Sequence, residues 1–338
     1  LVPVTDEQKA SFANDKESYH RFRKTIERDG NSVHFLTVTD SAMQKQAREH
    51  FQHEMKLRLG GKPEIAAALI PDFAVGCRRL TPGEGYLEAL QESNVEFINT
   101  RIQKINAEGV VLVDGRQVHL DVLVCATGFR ASKSPPFPIT GRDGQDMGEK
   151  FLPFPKTYMS IFMDGFPNFF SILGPNSLIG TGSLTMILES EVDYIVKCIR
   201  KLQKENIRSI ECKRERVEDF SSYVDQYFKQ SVYLAGCSSW YRNEGGHGPR
   251  VTGLWPGSSL HAIEALRSPR WEDFHYEYER DASGSPVGQL QWLGNGWTDS
   301  QRSGNGDLAF YLEPEWLEVP EEPLPETTRK YQLRPFSY

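Results

Sequence analysis

The chain has no long hydrophobic run. Nothing in its 338 residues approaches the ~20 apolar positions that a membrane-spanning helix requires, and the longest candidate, Asn168 to Leu173, is the size of a strand. It has no excess of positive charge: a formal net charge of −7 argues against a groove for nucleic acid, whose phosphates call for a basic face. Cysteine is sparse. The five present (Cys77, Cys125, Cys198, Cys212, Cys237) are odd in number and widely spaced, and no pair has the spacing of a zinc site or a redox motif. The plain expectation is reduced thiols in an intracellular, cytoplasmic protein, with Cys237, beside Ser238 and Ser239, a buried or idle one. No Walker loop, no Gly-x-Ser-x-Gly elbow and no complete Gly-x-Gly-x-x-Gly fingerprint occurs. Leu1 is preceded by no initiator Met and followed by no charged-then-apolar leader, which leaves open a segment or targeting signal ahead of it.

What is present is ordinary globular material: 38% hydrophobic and 25% charged, at a length that suits one large domain or two ordinary ones. The opening stretch is polar and helical. Thr5-Asp6-Glu7-Gln8 is a capping-box pattern ahead of a helix to about Arg28, closed by Gly30. A second helix runs from near Ser41 to Gly60-Gly61, and Pro63 opens a third through Leu69. From Asn94 the period becomes that of strands: Val95–Ile98, Arg101–Ile105, Val110–Val113 and Gln117–Leu120, with Asp114-Gly115 as a tight turn. This meander feeds a strand at Leu123–Ala126. Pro135-Pro136-Phe137-Pro138 breaks regular structure at a crossover between domains. Phe169–Leu173 reads as a buried strand, leading through Gly174-Pro175-Asn176 and Gly180-Thr181-Gly182 into a helix. On that helix Leu184, Ile187, Leu188, Tyr194, Ile195, Cys198, Ile199 and Leu202 mostly share one face. Another helix lies between Arg214 and Gln230, and the last ~50 residues are a loop-rich, aromatic embellishment.

Some patterns imitate sites. Gly83-Glu84-Gly85 and Gly180-Thr181-Gly182 look like the start of a dinucleotide fingerprint, yet Glu88 and Thr185 stand where a third glycine is needed. His50, His53 and Glu54 on one helix face lack a third metal ligand at a telling distance, so a solvated polar face is the better reading. Three constellations carry chemistry. Arg78 and Arg79, ahead of a Pro/Gly-rich loop to Tyr86, are either surface cations or permanent charges that bind phosphate or steady an anionic intermediate. The Gly180–Met186 turn is either a plain connection with Ser183 as N-cap or a set of open N–H groups at a positive helix end. Cys237-Ser238-Ser239-Trp240-Tyr241, with the Gly-rich run 245–250 and Trp255-Pro256-Gly257-Ser258 after it, is either a mobile flap over a ligand or a structural turn with a core Trp.

The apolar run Leu123-Val124-Cys125 into Ala126-Thr127-Gly128-Phe129 has the form by which two-dinucleotide flavoenzymes return the chain from the nicotinamide domain to the flavin domain. Together with Pro71 to Arg79, Cys237 to Tyr241, Val251 to His261 and Pro269 to Phe274, it resembles the class B flavoprotein monooxygenases, specifically fungal Baeyer–Villiger-type enzymes. The resemblance covers nearly the whole chain. It implies an α/β, two-dinucleotide-binding-domain flavoprotein that is incomplete at its N-terminus. Residues 1–125 would be the remainder of an NADPH-binding domain with a helical insertion, and 126–338 the C-terminal half of an FAD-binding domain with a loop-rich extension. The implied cofactors are FAD and NADPH, and the implied reaction inserts one oxygen atom from O2 beside a ketone to give an ester or lactone, in fungal secondary metabolism.

By position, Arg79 matches the arginine that steadies charge during oxygen transfer, and Arg78 stands where a neighbouring cation, usually lysine, contacts NADPH. Thr127 and Gly128 match the flavin-side turn, Ser183, Leu184 and Met186 the stretch near the isoalloxazine ring, and Trp240 the tryptophan that approaches NADP and substrate. The family's two fingerprints and its Phe-x-Gly-x-x-x-His-x-x-x-Trp signature are not in the chain. Three readings therefore stand beside each other: a Baeyer–Villiger enzyme, a relative acting on a heteroatom or C–H bond, and a non-catalytic remnant or partner of a separately encoded N-terminal half.

Overall fold

Thr5 opens the first helix as its capping box predicts. Its hydroxyl accepts the Gln8 N–H at 3.2 Å while its own N–H donates to Gln8 Oε1 at 2.9 Å. In this computed structural model, which describes residues 3–81, 83–128 and 134–312, that helix is α1, Asp6–Asn14. Asp15 then leaves helical geometry and caps α2, Lys16–Ser32, by accepting the Glu17 N–H at 3.0 Å. The one expected helix is thus two, and α2 runs through Gly30 instead of stopping there, since a glycine costs a helix interior only ~1 kcal/mol. Ser41 caps α3, Ala42–Arg58, and Pro63 occupies the first turn of α4, Pro63–Leu69. With α5, Tyr86–Ala89, these helices close a small core of Leu59, Ile65 and Leu87.

The strand period beyond Asn94 yields an antiparallel meander: β1 Ile102–Asn106, β2 Gly109–Leu112 and β3 Gln117–His119, in that order. Asp114-Gly115 makes the tight turn between β2 and β3, with Gly115 at φ +89°. Two of the strands expected in this part of the chain do not form. Val95–Ile98 is irregular, and Leu123–Ala126 is exposed chain that pairs with no strand among the described residues, with Val124 82% exposed. A strand is defined by its neighbours' hydrogen bonds, and an apolar pattern alone cannot supply them. Pro82 and Phe129 lie outside the described residues.

After α6, Met147–Lys150, the main core begins. Its axis is α7, Leu184–Lys204, which buries Ile187, Glu191, Tyr194 and Cys198 along one face at helical spacing. Against it lie β4, Ile207–Cys212, and α10, Ser259–Ala265; α8, Arg214–Phe228, and β5, Phe274–Tyr278, antiparallel to β4, add side chains to the same core, and the short α9, Asn243–Gly246, comes between α8 and α10 in the chain. Edge-to-face rings bind this core: Phe162 on Phe170, Tyr194 and Phe274, and Phe228 on Tyr227 and Tyr233. Phe169–Leu173, expected as a buried strand, is irregular, because Asn168 and Leu173 both take positive φ and turn the chain at each end. Residues 288–338 form a unit of their own; its described part holds one short α-helix, α11, Asp299–Ser303, capped by Thr298, between the 3-10 turns Gln291–Leu293 and Phe310–Leu312.

Candidate functional site

The arginine loop is held before it reaches its arginines. Gln44 of α3, itself buried, donates from Nε2 to the Val75 carbonyl and accepts the Val75 N–H at Oε1, both at 2.9 Å, so a side chain plays the part of a neighbouring strand. Arg48 donates to the Asp72 carbonyl in the same stretch. Beyond it, Arg78 lies over the Phe73 ring, 5.4 Å from its centroid. Its guanidinium donates to the Ser238 carbonyl at 2.7 Å and the Ser238 hydroxyl at 2.6 Å. The first arginine is thus tied to the 237–241 segment, and its neighbour Arg79 faces a cavity.

That segment is pinned at its other end as well. Arg242 donates to the Gly248 carbonyl at 2.6 Å and the Cys237 carbonyl at 3.0 Å, and the Ser239 N–H reaches the Gly246 carbonyl at 3.0 Å. The core aromatic here is Tyr241, not Trp240: Tyr241 is buried, while Trp240 stands beside it 48% exposed, ring centroids 4.7 Å apart. Burial pushes the Tyr241 phenol up, and the charge of Arg79 works against that rise. Cys237 is not the free thiol the sequence suggests. It forms a disulfide with Cys77, whose Cα lies 6.4 Å away, and only Cys125, Cys198 and Cys212 are free. The two partners are 160 residues apart in sequence, so no spacing rule could pair them.

The third piece is the turn into α7. Asn176 is buried, and its amide donates to the carbonyls of Val251 and Leu254 at 3.0 and 2.9 Å, which fixes the approach to Gly180. Gly180 passes so close to the Tyr233 hydroxyl that a Cβ there would overlap it. Thr181 lies 3.4 Å from Nδ1 of His34, whose Nε2 is 3.2 Å from the Tyr227 hydroxyl, and burial, with a smaller contribution from the nearby His261, pushes the His34 imidazole below its ordinary pKa. Ser183 holds the N-cap position of the 21-residue α7, yet its side chain makes no capping hydrogen bond.

These pieces meet. A cavity of about 50 Å³ is lined by Arg79, by Leu178 to Gly182 with Leu184, and by Trp240 and Tyr241. Trp240 and Leu178 also line a larger cavity of about 430 Å³, whose other walls include Pro135, Pro136, Met147, Phe169, Leu173 and Thr252. Of the sequence candidates, Arg79, Leu184 and Trp240 come together. Arg78 hydrogen-bonds Ser238 instead of lining the cavity, Ser183 is the N-cap of α7 and Met186 sits in its first turn. Thr127 and Gly128 are exposed and line neither cavity. The sequence reading passes over Leu178, Gln44 and Glu191, and it names Tyr241 and Asn176 only as members of their segments, with no role of their own. Only Glu191 left a signal, as an acid at the Ile187, Tyr194 and Cys198 spacing of a buried face.

Glu191 shapes the larger cavity from behind. It is wholly buried, one oxygen accepts the Leu173 N–H at 3.0 Å, and the other has no hydrogen-bond partner among the described residues. Desolvation pushes its carboxyl up from 4.5 to about 7. A folded-state pKa above the unfolded value means that the stability from this group is full below 4.5 and is lost as pH rises through about 7. Glu191→Gln keeps an acceptor for Leu173 and removes the titration. Denaturant unfolding at pH 5 and pH 8 is expected to show a smaller loss of stability at pH 8 in the variant than in the parent.

No protein-family model matches the chain. Its relatives are informative. It is 35% identical over 309 residues to the FAD-binding monooxygenase tazF of Aspergillus terreus, covering 91% of this chain and 54% of that protein. It is 30% identical over 217 residues to a Baeyer–Villiger monooxygenase of Pseudomonas aeruginosa, covering 64% of this chain and 40% of that one. Among solved structures, cyclohexanone monooxygenase from Rhodococcus sp. Phi1 bound to NADP+ superposes with a TM-score of 0.63 at 25% identity, over 72% of this chain and 46% of the other. The chain spans about half the length of the fungal relatives it matches. Likeness that runs through 91% of this chain and about half of the relative makes the chain similar to a part of the FAD-binding monooxygenases, with a Baeyer–Villiger monooxygenase among the relatives and a cyclohexanone monooxygenase sharing its fold.

Proposed function

We propose that the chain is the part of an FAD- and NADPH-dependent monooxygenase that surrounds the ring end of the flavin, acting on a small-molecule ketone with O2 to give an ester or lactone. One observation carries this reading: Arg79, the Gly180–Leu184 turn and Trp240–Tyr241, distant in sequence, line a common cavity. The donor set suits the electron-rich end of a flavin. Arg79 brings a permanent positive charge, and α7 begins with N–H groups that the Ser183 side chain does not claim. The set does not suit a pyrophosphate, since no Gly-x-Gly-x-x-Gly turn occurs in the 338 residues. Residues 1–125 and 126–338 are read as the contributions of the nicotinamide and flavin domains.

Bound FAD, reduced by NADPH, supplies the electrons that activate O2 for transfer to a carbonyl. The chain's own residues supply the setting. Arg79 offers fixed positive charge where negative charge develops on oxygen, and it does so without giving up a proton. Thr127, Gly128, Ser183, Leu184 and Met186 would border the flavin, and Arg78 and Trp240 the nicotinamide side. The larger cavity, walled by proline, methionine and phenylalanine, suits an apolar ketone. A role in fungal secondary metabolism is part of the same proposal, and likeness to the fungal FAD-binding monooxygenases tazF, moxY and stcW supports it.

A second reading is favoured by one observation: α7 exposes Val192, Val196 and Ile199 as a stripe, and Val122, Leu123 and Val124 are exposed beside the meander. Such surfaces suit a further polypeptide carrying the missing fingerprints, encoded with this chain or separately. Both readings are tested by titrating the purified chain with FAD and recording visible absorbance. A protein-shifted flavin band that NADPH bleaches is expected if the chain forms a working cofactor site. A spectrum identical to free FAD means that the chain does not hold the flavin by itself, binding restored by an added fingerprint-bearing half supports the second reading, and no flavin band even with that half overturns the proposed cofactor site.

A further inference from the structure

We propose that the Cys77–Cys237 disulfide is a redox-operated clamp: closed, it holds the Arg79 loop on the Trp240 segment; opened, it lets the two part. The bond stands two residues from Arg79 and three from Trp240, and both of those residues line the cavity of the candidate site. It is the covalent part of a joint whose polar part is weak by comparison, the two hydrogen bonds from exposed Arg78 to Ser238. The two arms have the same build. Each cysteine follows a glycine at positive φ, Gly76 at +84° and Gly236 at +81°, and a Cβ on either glycine would meet nothing within 4 Å. Space therefore does not require these glycines; the left-handed backbone that presents each sulfur does.

The joint is also local. On one side the loop hangs from α3 through Gln44, and on the other the 237–241 segment hangs from Arg242, so each arm keeps its own anchor when the bond opens. Both sulfurs are buried, which slows attack, while Arg78 and Arg79 immediately beside them are exposed and carry positive charge that favours an incoming thiolate. The chemistry balances with a dithiol as reductant. Its thiolate attacks one sulfur, the second thiol resolves the mixed disulfide, and the chain gains two thiols as the dithiol becomes a cyclic disulfide. Closure balances with hydrogen peroxide, which takes two electrons and two protons from the thiols and leaves as two waters. In a reducing compartment a disulfide is a transient, regulatory species rather than a permanent staple.

The test uses the 338-residue chain. Alkylation in denaturant is expected to label three cysteines before reduction and all five after it, as the disulfide and the three free thiols require. Five labels without reduction overturn the proposal. Native trypsin digestion with mass mapping then follows the bonds after Arg78 and Arg79. Reduction by a phosphine is expected to speed these cuts about tenfold, with hydrogen peroxide restoring protection, because cleavage follows local opening. Cys237→Ser should match the reduced chain without reductant, and Cys125→Ser the oxidised parent. Unchanged rates at Arg78 and Arg79 overturn the clamp. So do cuts that spread through α7 and α8 on reduction, since the bond would then serve the whole fold.

Discussion

Arg79→Ala is expected to lower product formation about 10²–10³-fold in a preparation that turns over, the cost of removing one preorganised charge from a developing oxyanion. Flavin reduction by NADPH should persist, because the substitution removes a charge and no part of the core. The two half-reactions are separable by stopped-flow absorbance: bleaching under anaerobic conditions, then ester or lactone counted after oxygen is admitted. Arg79→Lys sharpens the reading. Lysine keeps the charge and loses the planar fork, so a variant that recovers most activity makes charge the working feature, and one that recovers none makes it hydrogen-bond geometry. Product at the parent rate from Arg79→Ala would sink the assignment of Arg79, whatever the fate of the family placement.

Phe228→Ala should cost about 3–5 kcal/mol, the range for deleting a buried aromatic side chain. Phe228 is 2% exposed at the end of α8, with Tyr227 and Tyr233 edge-on to its ring. Tyr227 touches His34 behind the α7 turn and Tyr233 crowds Gly180, so a cavity at Phe228 lies one layer beneath the candidate site. Denaturant unfolding is expected to show a lower midpoint with little change in slope. A loss below ~1 kcal/mol would mean that α8 collapses onto the gap, an outcome packing theory allows only where neighbours can move. Trp240→Ala offers the contrast, since an exposed ring at a cavity wall should leave the midpoint almost unmoved.

Local chemistry was legible in the sequence wherever it is self-sufficient. The cap of α1, the start of α3 near Ser41, Pro63 in α4, the Asp114-Gly115 turn and the amphipathic stripe of α7 all report interactions within a few residues. What depends on a distant partner was not. β4 pairs with β5 across more than sixty residues, and neither Ile207–Cys212 nor Phe274–Tyr278 announces the other. Leu123–Ala126 and Phe169–Leu173 look like strands by composition, yet the first lacks a partner among the described residues and the second is bent by positive φ at its ends. The candidate site divides the same way. Arg79, Leu184 and Trp240 could be picked from motifs, while Gln44, Asn176 and the Cys77–Cys237 bond act across 31, 75 and 160 residues.

Trp240 is a wall shared by two chambers, and a shared wall makes their volumes interdependent. A rotation of the indole that enlarges the roomier chamber must shrink the one holding Arg79, and the reverse. Tolerance for bulk on one side is therefore traded against crowding of the charge on the other. Selection for larger molecules at this position would drag the chemistry along with it, whereas Met147 and Phe169 line the larger chamber alone, so changes there would leave the chamber of Arg79 undisturbed. Diversification of such a scaffold should proceed from those unshared walls first.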